Sequence, residues 1–154
     1  MKSTIEKFYT AFTNNDAEAM VACYHDNIIF EDPAFGTLEG ERARNMWRML
    51  ISSQKGKDFK VSFSNINFNQ ETATAQWEAR YTFSQTGRQV HNKIDAQFEF
   101  QDGKISSHID TFNLRKWASQ AMGLKGQLLG GTAFFKKKLN KQTNRMLDRY
   151  MAAK

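Results

Sequence analysis

Ala73-Thr74-Ala75-Gln76-Trp77-Glu78-Ala79-Arg80-Tyr81-Thr82-Phe83 places an apolar residue at every second position, six times in succession. A period of two sends alternate side chains to opposite faces of an extended chain, so this stretch predicts a long strand with one apolar and one polar face. Its neighbours repeat the pattern. Upstream, Phe59, Val61 and Phe63 alternate with polar residues, and downstream Ile94, Ala96, Phe98 and Phe100 do the same. Gly87 lies in one turn, and Asp102-Gly103 forms a hairpin turn leading into a last strand from Ile105 to Leu114. Connections this short cannot contain crossover helices, which excludes a doubly wound parallel sheet and leaves an antiparallel meander.

Before residue 59 the period is helical. Ile5, Phe8, Tyr9 and Phe12 fall at i, i+3, i+4 and i+7, the stripe of an amphipathic helix. Asn14-Asn15 ends it, and Asp16 is placed to cap a second helix in which Ala19, Met20, Cys23 and Tyr24 recur at helical spacing. Ile28-Ile29-Phe30 reads as a short strand closed by Asp32-Pro33, because proline drives the residue before it into extended geometry. Gly36 and Gly40 mark a loop. Ala43, Met46, Trp47 and Leu50 then give a third helix over 41–53, ending before Lys55-Gly56. Residues 115–122 read as a short helix stopped by Gly123, and 124–154 as a glycine-interrupted, basic helical extension. The fold class is therefore α+β: three N-terminal helices on one face of a curved, mostly antiparallel sheet. It occupies residues 1–123, with the extension at 124–154.

A chain of 154 residues suits one core, and thirteen Phe, four Tyr and three Trp suit a core or pocket walled by rings. Cys23 is the single cysteine, so no internal disulfide forms. The N-terminus lacks the apolar run of a signal peptide and no stretch of about 18 apolar residues occurs, from which a cytoplasmic location is expected. Of the net charge of +6, residues 124–154 hold eight Lys/Arg against Asp148 alone, leaving the remaining chain near neutral. That distribution argues against a nucleic-acid-binding domain. Within the extension, Leu128-Leu129 and Phe134-Phe135 beside Lys136-Lys137-Lys138 fit an anionic membrane surface or packing on the domain or a second subunit; packing is expected.

Three segments carry a resemblance. Asn15-Asp16-Ala17-Glu18-Ala19-Met20, Tyr24-His25-Asp26 and Phe30-Glu31-Asp32-Pro33 followed by Gly36 resemble the N-terminal half of ketosteroid isomerases and SnoaL-like polyketide cyclases, members of the nuclear transport factor 2-like superfamily. The motif resemblance spans roughly residues 5–50 and the element order extends it to about 114. His108-Ile109-Asp110-Thr111-Phe112-Asn113-Leu114 with Trp117, Gln120 and Gly123 resembles a bacterial SnoaL-like subgroup of unassigned activity. Such families include isomerases, cyclases, dehydratases, epoxide hydrolases and plain binding domains, so the resemblance implies a fold and a pocket rather than one reaction. In ketosteroid isomerases the Asp of this motif is the general base, and Asp32 holds the matching position. Their two oxyanion donors are not matched: Phe8 and Ala96 stand there. The neighbours Tyr9 and Asp95 are offset by one residue, which turns Tyr9 by about 100° on a helix and sends Asp95 to the opposite face of a strand.

Ser106, His108, Asp110 and Phe112 share one face of the last strand, which the resemblance implies lines the pocket opposite Asp32. Two carboxylates and an imidazole in an aromatic cavity are costly to bury unless paired or used for proton transfer. Two readings are open for His108 and Asp110: site residues, or a hydrogen-bonded pair joining sheet to helices. Asp32 is a base or an Asp-Pro surface turn. A metal held by His108, Asp110 and Asp32 lacks a second histidine, since His25 falls at the end of the second helix and His91 on the outer sheet face. No metal and no cofactor are expected. Trp47, Trp77, Tyr81, Phe98 and Phe100 are assigned to packing or pocket wall. The outer face, with Thr74, Gln76, Glu78, Arg80, His91, Lys93, Asp95, Gln97 and Glu99, is where the resemblance implies a two-fold homodimer. The leading expectation is an isomerase-, cyclase- or hydrolase-type enzyme for a small apolar molecule, with Asp32 as general base and His108, oriented by Asp110, as its acid or electrostatic partner. The alternatives are a non-catalytic binding module for an apolar ligand and a protein acting through its C-terminal arm.

Overall fold

The meander forms as its alternation demands. The computed structural model describes residues 2–153, and in it β3 (Lys60–Asn69), β4 (Thr72–Phe83), β5 (Arg88–Gln101) and β6 (Lys104–Thr111) pair antiparallel in succession. Trp77, Ala79, Ile94, Ala96 and Phe98 are buried on the inner face, while Thr74, Gln76, Arg80, Lys93, Asp95, Gln97 and Glu99 are exposed on the other. Tyr81 and Phe100 are partly buried and pack on the same core.

Three helices cover the inner face. α1 (Lys2–Thr13) buries Ile5, Phe8, Tyr9 and Phe12, with Tyr9 stacked on Phe63 and Phe12 set against Phe59 and Trp77. α2 (Ala17–Val21) is capped by Asp16, whose carboxylate accepts from the Ala19 N–H at 3.0 Å. α3 (Glu41–Gln54) sends Trp47 against Phe12, Phe30 and Trp77.

Three expectations are corrected. The second helix does not reach Tyr24: it stops at Val21, and β1 runs from Tyr24 to Asp32, so His25 lies on a strand and pairs with Asp102. The helical spacing of Met20, Cys23 and Tyr24 is overridden because β1 takes its hydrogen bonds from β6, running parallel to it. The Gly36–Gly40 loop contains β2 (Gly36–Glu39), paired antiparallel with β1. β6 stops at Thr111 because Asn113 caps α4 (Leu114–Met122), accepting from the Lys116 N–H. The sheet is open, with strand order β2-β1-β6-β5-β4-β3.

α4 closes the edge of β5 beyond the end of β6, where Gln120 accepts from the His91 N–H and Arg88 donates to the Gln120 carbonyl. α5 (Leu124–Leu129) crosses α4 at backbone contact. A methyl group at Gly126 would overlap the Ala118 carbonyl, so only glycine permits the crossing. α6 (Ala133–Ala152) then returns over the domain with Leu147 fully buried. Its side chains grip the turn after Asp32: Asn140 donates to the Pro33 and Ala34 carbonyls, Thr143 to that of Ala34 and Asn144 to that of Phe35, at 2.8–2.9 Å. Arg42 on α3 ties Asp148 and Asn144 from the other side. The extension thus packs on the domain as expected, although Leu124, Leu128 and Phe134 are exposed. No helix among the described residues is long and apolar enough to cross a membrane.

Candidate active site

Parallel pairing of β1 with β6 builds the site. The register sets Phe30 beside His108 and Glu31 beside Ile109, so the next step brings Asp32 alongside Asp110 on the inner face. The two carboxylates are the only acidic residues in the wall of a cavity of about 330 Å³ between the sheet, α3 and α6. Around them the wall is apolar, with Met46, Trp47, Leu50, Trp77, Ile94 and Phe112 among its residues.

Asp32 is held by its own turn. One carboxylate oxygen accepts from the Ala34 N–H at 3.0 Å and the Phe35 N–H at 2.7 Å, and the accessible part of the side chain opens into the cavity. Burial pushes its carboxyl up to about 7; the Phe35 N–H opposes this, and the Asp110 charge pushes the same way as burial. Asp32 is therefore a carboxyl that gains and loses a proton near neutral pH.

Asp110, 3% exposed, ends a buried polar chain. Trp47 Nε1 donates to the Tyr24 hydroxyl at 2.8 Å, Tyr24 meets His108 Nδ1 at 2.7 Å, and His108 Nε2 meets Asp110 Oδ1 at 2.9 Å. Trp77 Nε1 adds a second donor to the same oxygen at 3.2 Å. One direction satisfies every member: Trp47 donates to Tyr24, Tyr24 to Nδ1 of a neutral His108, and the Nε2–H to Asp110 as a carboxylate. Burial holds the Tyr24 hydroxyl well above the usual tyrosine value, so it keeps the proton it donates.

This arrangement reverses the expected order of the pair. Asp110 lines the cavity, while His108 is fully buried behind it, enclosed by the rings of Phe8, Phe30, Trp47 and Phe98. His108 therefore stands behind Asp110 and forms no part of the cavity wall. The two candidate metal ligands on β6 are bonded to each other, and no group of three or more ligating side chains is arranged for a metal among the described residues.

Trp47 and Trp77, read from sequence as packing or pocket wall, also donate hydrogen bonds in this chain. The signal was available: a buried indole N–H needs an acceptor, and few stand on the inner face. Further polar groups line the cavity, Ser53, Gln54 and Lys57 among them, and two stand on the inner face of the sheet. Tyr81 Oη accepts from Trp117 Nε1 at 2.7 Å, leaving its own O–H free to donate, and burial raises that hydroxyl so that it stays protonated. Asn92, opposite Ala79 on the inner face, presents a side-chain amide with no hydrogen-bond partner among the described residues. Its position in the even-numbered inner series of β5 was the signal for it. Tyr9 and Phe8 lie in the core and line no part of the cavity; the Tyr9 hydroxyl is buried without a partner.

Comparison with known proteins agrees with this architecture. A family model for the SnoaL-like domain matches residues 5–108. No curated protein matches the chain. Among solved structures, a nuclear transport factor 2-like protein of unknown function from Burkholderia pseudomallei superposes with TM-score 0.66 at 16% identity, covering 79% of this chain and 96% of its own. A protein with a ketosteroid isomerase-like fold from Catenulispora acidiphila, in complex with trimethylamine, gives 0.65 at 14%, covering 80% and 95%. An LEH-like epoxide hydrolase of M. tuberculosis gives 0.60 at 21%, covering 83% and 89%. At these identities the likeness is one of fold. With the family model spanning most of the chain, the protein belongs to the SnoaL-like family of the nuclear transport factor 2-like superfamily.

Proposed function

We propose that the protein is an enzyme of proton transfer on a small, largely apolar carbonyl compound, with Asp32 as the group that takes and returns the proton. The observation that carries this reading is a cavity-lining carboxyl raised to about 7 beside a second carboxylate fixed by two N–H donors. A base with that proton affinity abstracts a proton more readily than an ordinary carboxylate and is still ionised at neutral pH to a useful extent. Asp32 removes a proton from the carbon next to the carbonyl, and the electron pair moves onto the carbonyl oxygen. The Tyr81 hydroxyl and the Asn92 amide, both on the inner face of the sheet, are the donors assigned to that oxygen, standing in for the unmatched oxyanion donors of the isomerases. Returning the proton to another carbon isomerises the compound, and returning it to the same carbon exchanges it with solvent. Asp110 is a positioning and electrostatic residue that raises the proton affinity of Asp32, and His108 holds Asp110.

The test is carbon-bound hydrogen exchange in D₂O, followed by NMR over a panel of cyclic and linear ketones and enones that bind. Wild-type protein accelerates exchange, and Asp32→Asn slows it by about 10²–10⁴. If bound ketones exchange no faster than in buffer, or Asp32→Asn exchanges them at the wild-type rate, Asp32 is not the base. Unchanged ligand affinity in both proteins with no exchange then assigns the cavity to binding alone.

A further inference from the structure

The extension beyond Gly123 builds a second cavity that the proton-transfer reading does not use. It measures about 360 Å³ and is walled by Leu129, Phe134, Phe135, Leu139 and Met122 from α4, α5 and α6. It adjoins the inner cavity, for Ala34, Phe83, Gln85, Trp117 and Met146 belong to both walls. Trp117 is pinned between them, its N–H on Tyr81 and its ring edge-on to Phe83 at 5.6 Å.

Charge is divided along this double chamber. The only carboxylates, Asp32 and Asp110, are at the inner end, where Lys57 is the one cation against the two of them. The outer wall contains no acidic residue and carries Lys125 and Lys138, neither of which has an ion pair or hydrogen bond among the described residues. No acidic residue occurs between Asp110 and Asp148, so nothing nearby along the chain neutralises these two ammonium groups. An anion entering the inner end would meet like charge in an apolar setting, which costs several-fold more than at the surface. An anion left at the outer end meets two free lysines.

We infer that the ligand is an elongated amphipathic anion, a carboxylate or phosphate monoester at one end of an apolar chain or ring system, bound with its charged end at Lys125 and Lys138 and its apolar body running past Trp117 into the inner cavity. This names the class of molecule the proposed site takes and rests on that reading only for which cavity is occupied. It requires no chemistry at Asp32. Exposed apolar residues such as Phe134 and Leu129, 72% and 42% exposed, are the surface such a chain covers on binding.

The experiment is isothermal titration of the full chain with three probes below their critical micelle concentrations: dodecanoate, dodecyl phosphate and dodecanol. The two anions bind more tightly than the alcohol, and their affinity falls as salt rises. Lys125→Gln with Lys138→Gln weakens both anions about five- to thirty-fold and leaves dodecanol within about twofold. Lys136→Gln with Lys137→Gln, outside both cavity walls, removes the same charge from α6 as a control and leaves all three affinities within about twofold. Asp32→Asn retains anion binding, so this result stands or falls apart from the exchange experiment. Equal affinity for dodecanol and dodecanoate, or lysine substitutions without effect, overturns the proposal. So does lysine-dependent co-sedimentation with phosphatidylglycerol vesicles in the absence of binding to any monomeric probe, since the segment then reads a membrane surface instead.

Discussion

Replacing Asp32 by Asn should stabilise the protein, and by an amount that grows with pH. The folded carboxyl titrates near 7, whereas an unperturbed aspartate does so at 3.8. Raising an acid's folded value means that the fold disfavours its ionised form. The penalty is therefore absent below about pH 4, grows between 4 and 7, and is constant above. Its upper limit, from the difference between the two values, is about 4 kcal/mol. Water entering the cavity and local relaxation reduce it, so about 2 kcal/mol is the working figure at pH 8. Asn keeps the shape and an oxygen that accepts from the Ala34 and Phe35 N–H groups, so the turn survives while the charge goes. Urea denaturation of both proteins at pH 4.5, 5.5, 6.5, 7.5 and 8.5 gives the comparison directly. The stability difference should be smallest at pH 4.5, about a quarter of its plateau, and reach that plateau by about pH 8, where a gain of 2 kcal/mol corresponds to roughly 4–8 °C in Tm. A difference that is flat across this range, or a variant less stable than wild type at pH 8.5, would falsify the claim that this carboxylate is held at a cost. It would return Asp32 to the role of a turn residue.

Two further outcomes follow from the same structure. Tyr24→Phe leaves His108 Nδ1 and Trp47 Nε1 buried without partners, so it should cost about 2–4 kcal/mol in urea denaturation, whereas a substitution that merely trimmed packing by one oxygen would cost far less. The outer sheet face, with Ile109 set among Thr74, Gln97 and Glu99, is proposed as a two-fold interface; Ile109→Glu should convert a dimer in sedimentation equilibrium to a monomer, and a wild-type monomer at 100 µM would rule the interface out.

The fold was legible where one period ran uninterrupted. β4 and β5 follow from alternation, and α1 and α3 from their apolar stripes, because in each the buried face belongs to the element itself. β2 and the start of β1 were not legible. Gly36–Glu39 has four residues and one buried side chain, Leu38, and becomes a strand because β1 lies beside it. Tyr24 keeps helical spacing with Met20, but the pairing partner that makes it extended is about eighty residues away in the chain. The same distinction divides the site. Counting along the last strand put His108 and Asp110 on one face, and the resemblance turned that face toward Asp32. Which of Asp110 and His108 meets the cavity could not be read that way, because that depends on how deeply the rings of α1 and α3 enclose the imidazole.

The SnoaL-like match ends at His108, yet the burial that tunes Asp32 depends on residues far beyond it. Pro33, Ala34 and Phe35 present two N–H groups to the Asp32 carboxylate, and the carbonyls of the same three residues are held by Asn140, Thr143 and Asn144. The turn is thus clamped on both sides, by its own aspartate and by α6. Met146, one turn of helix further, closes the cavity wall next to it. Desolvation is the largest cause of the raised Asp32 value, so an element that covers the turn acts on the proton affinity without touching the carboxylate. A domain ending at residue 123 would keep both carboxylates and lose part of what shields them. The basic extension therefore contributes to the site in two ways: its inner residues Asn140, Thr143, Asn144 and Met146 help set the state of the proposed base, and its lysines offer the charge that the inner cavity refuses.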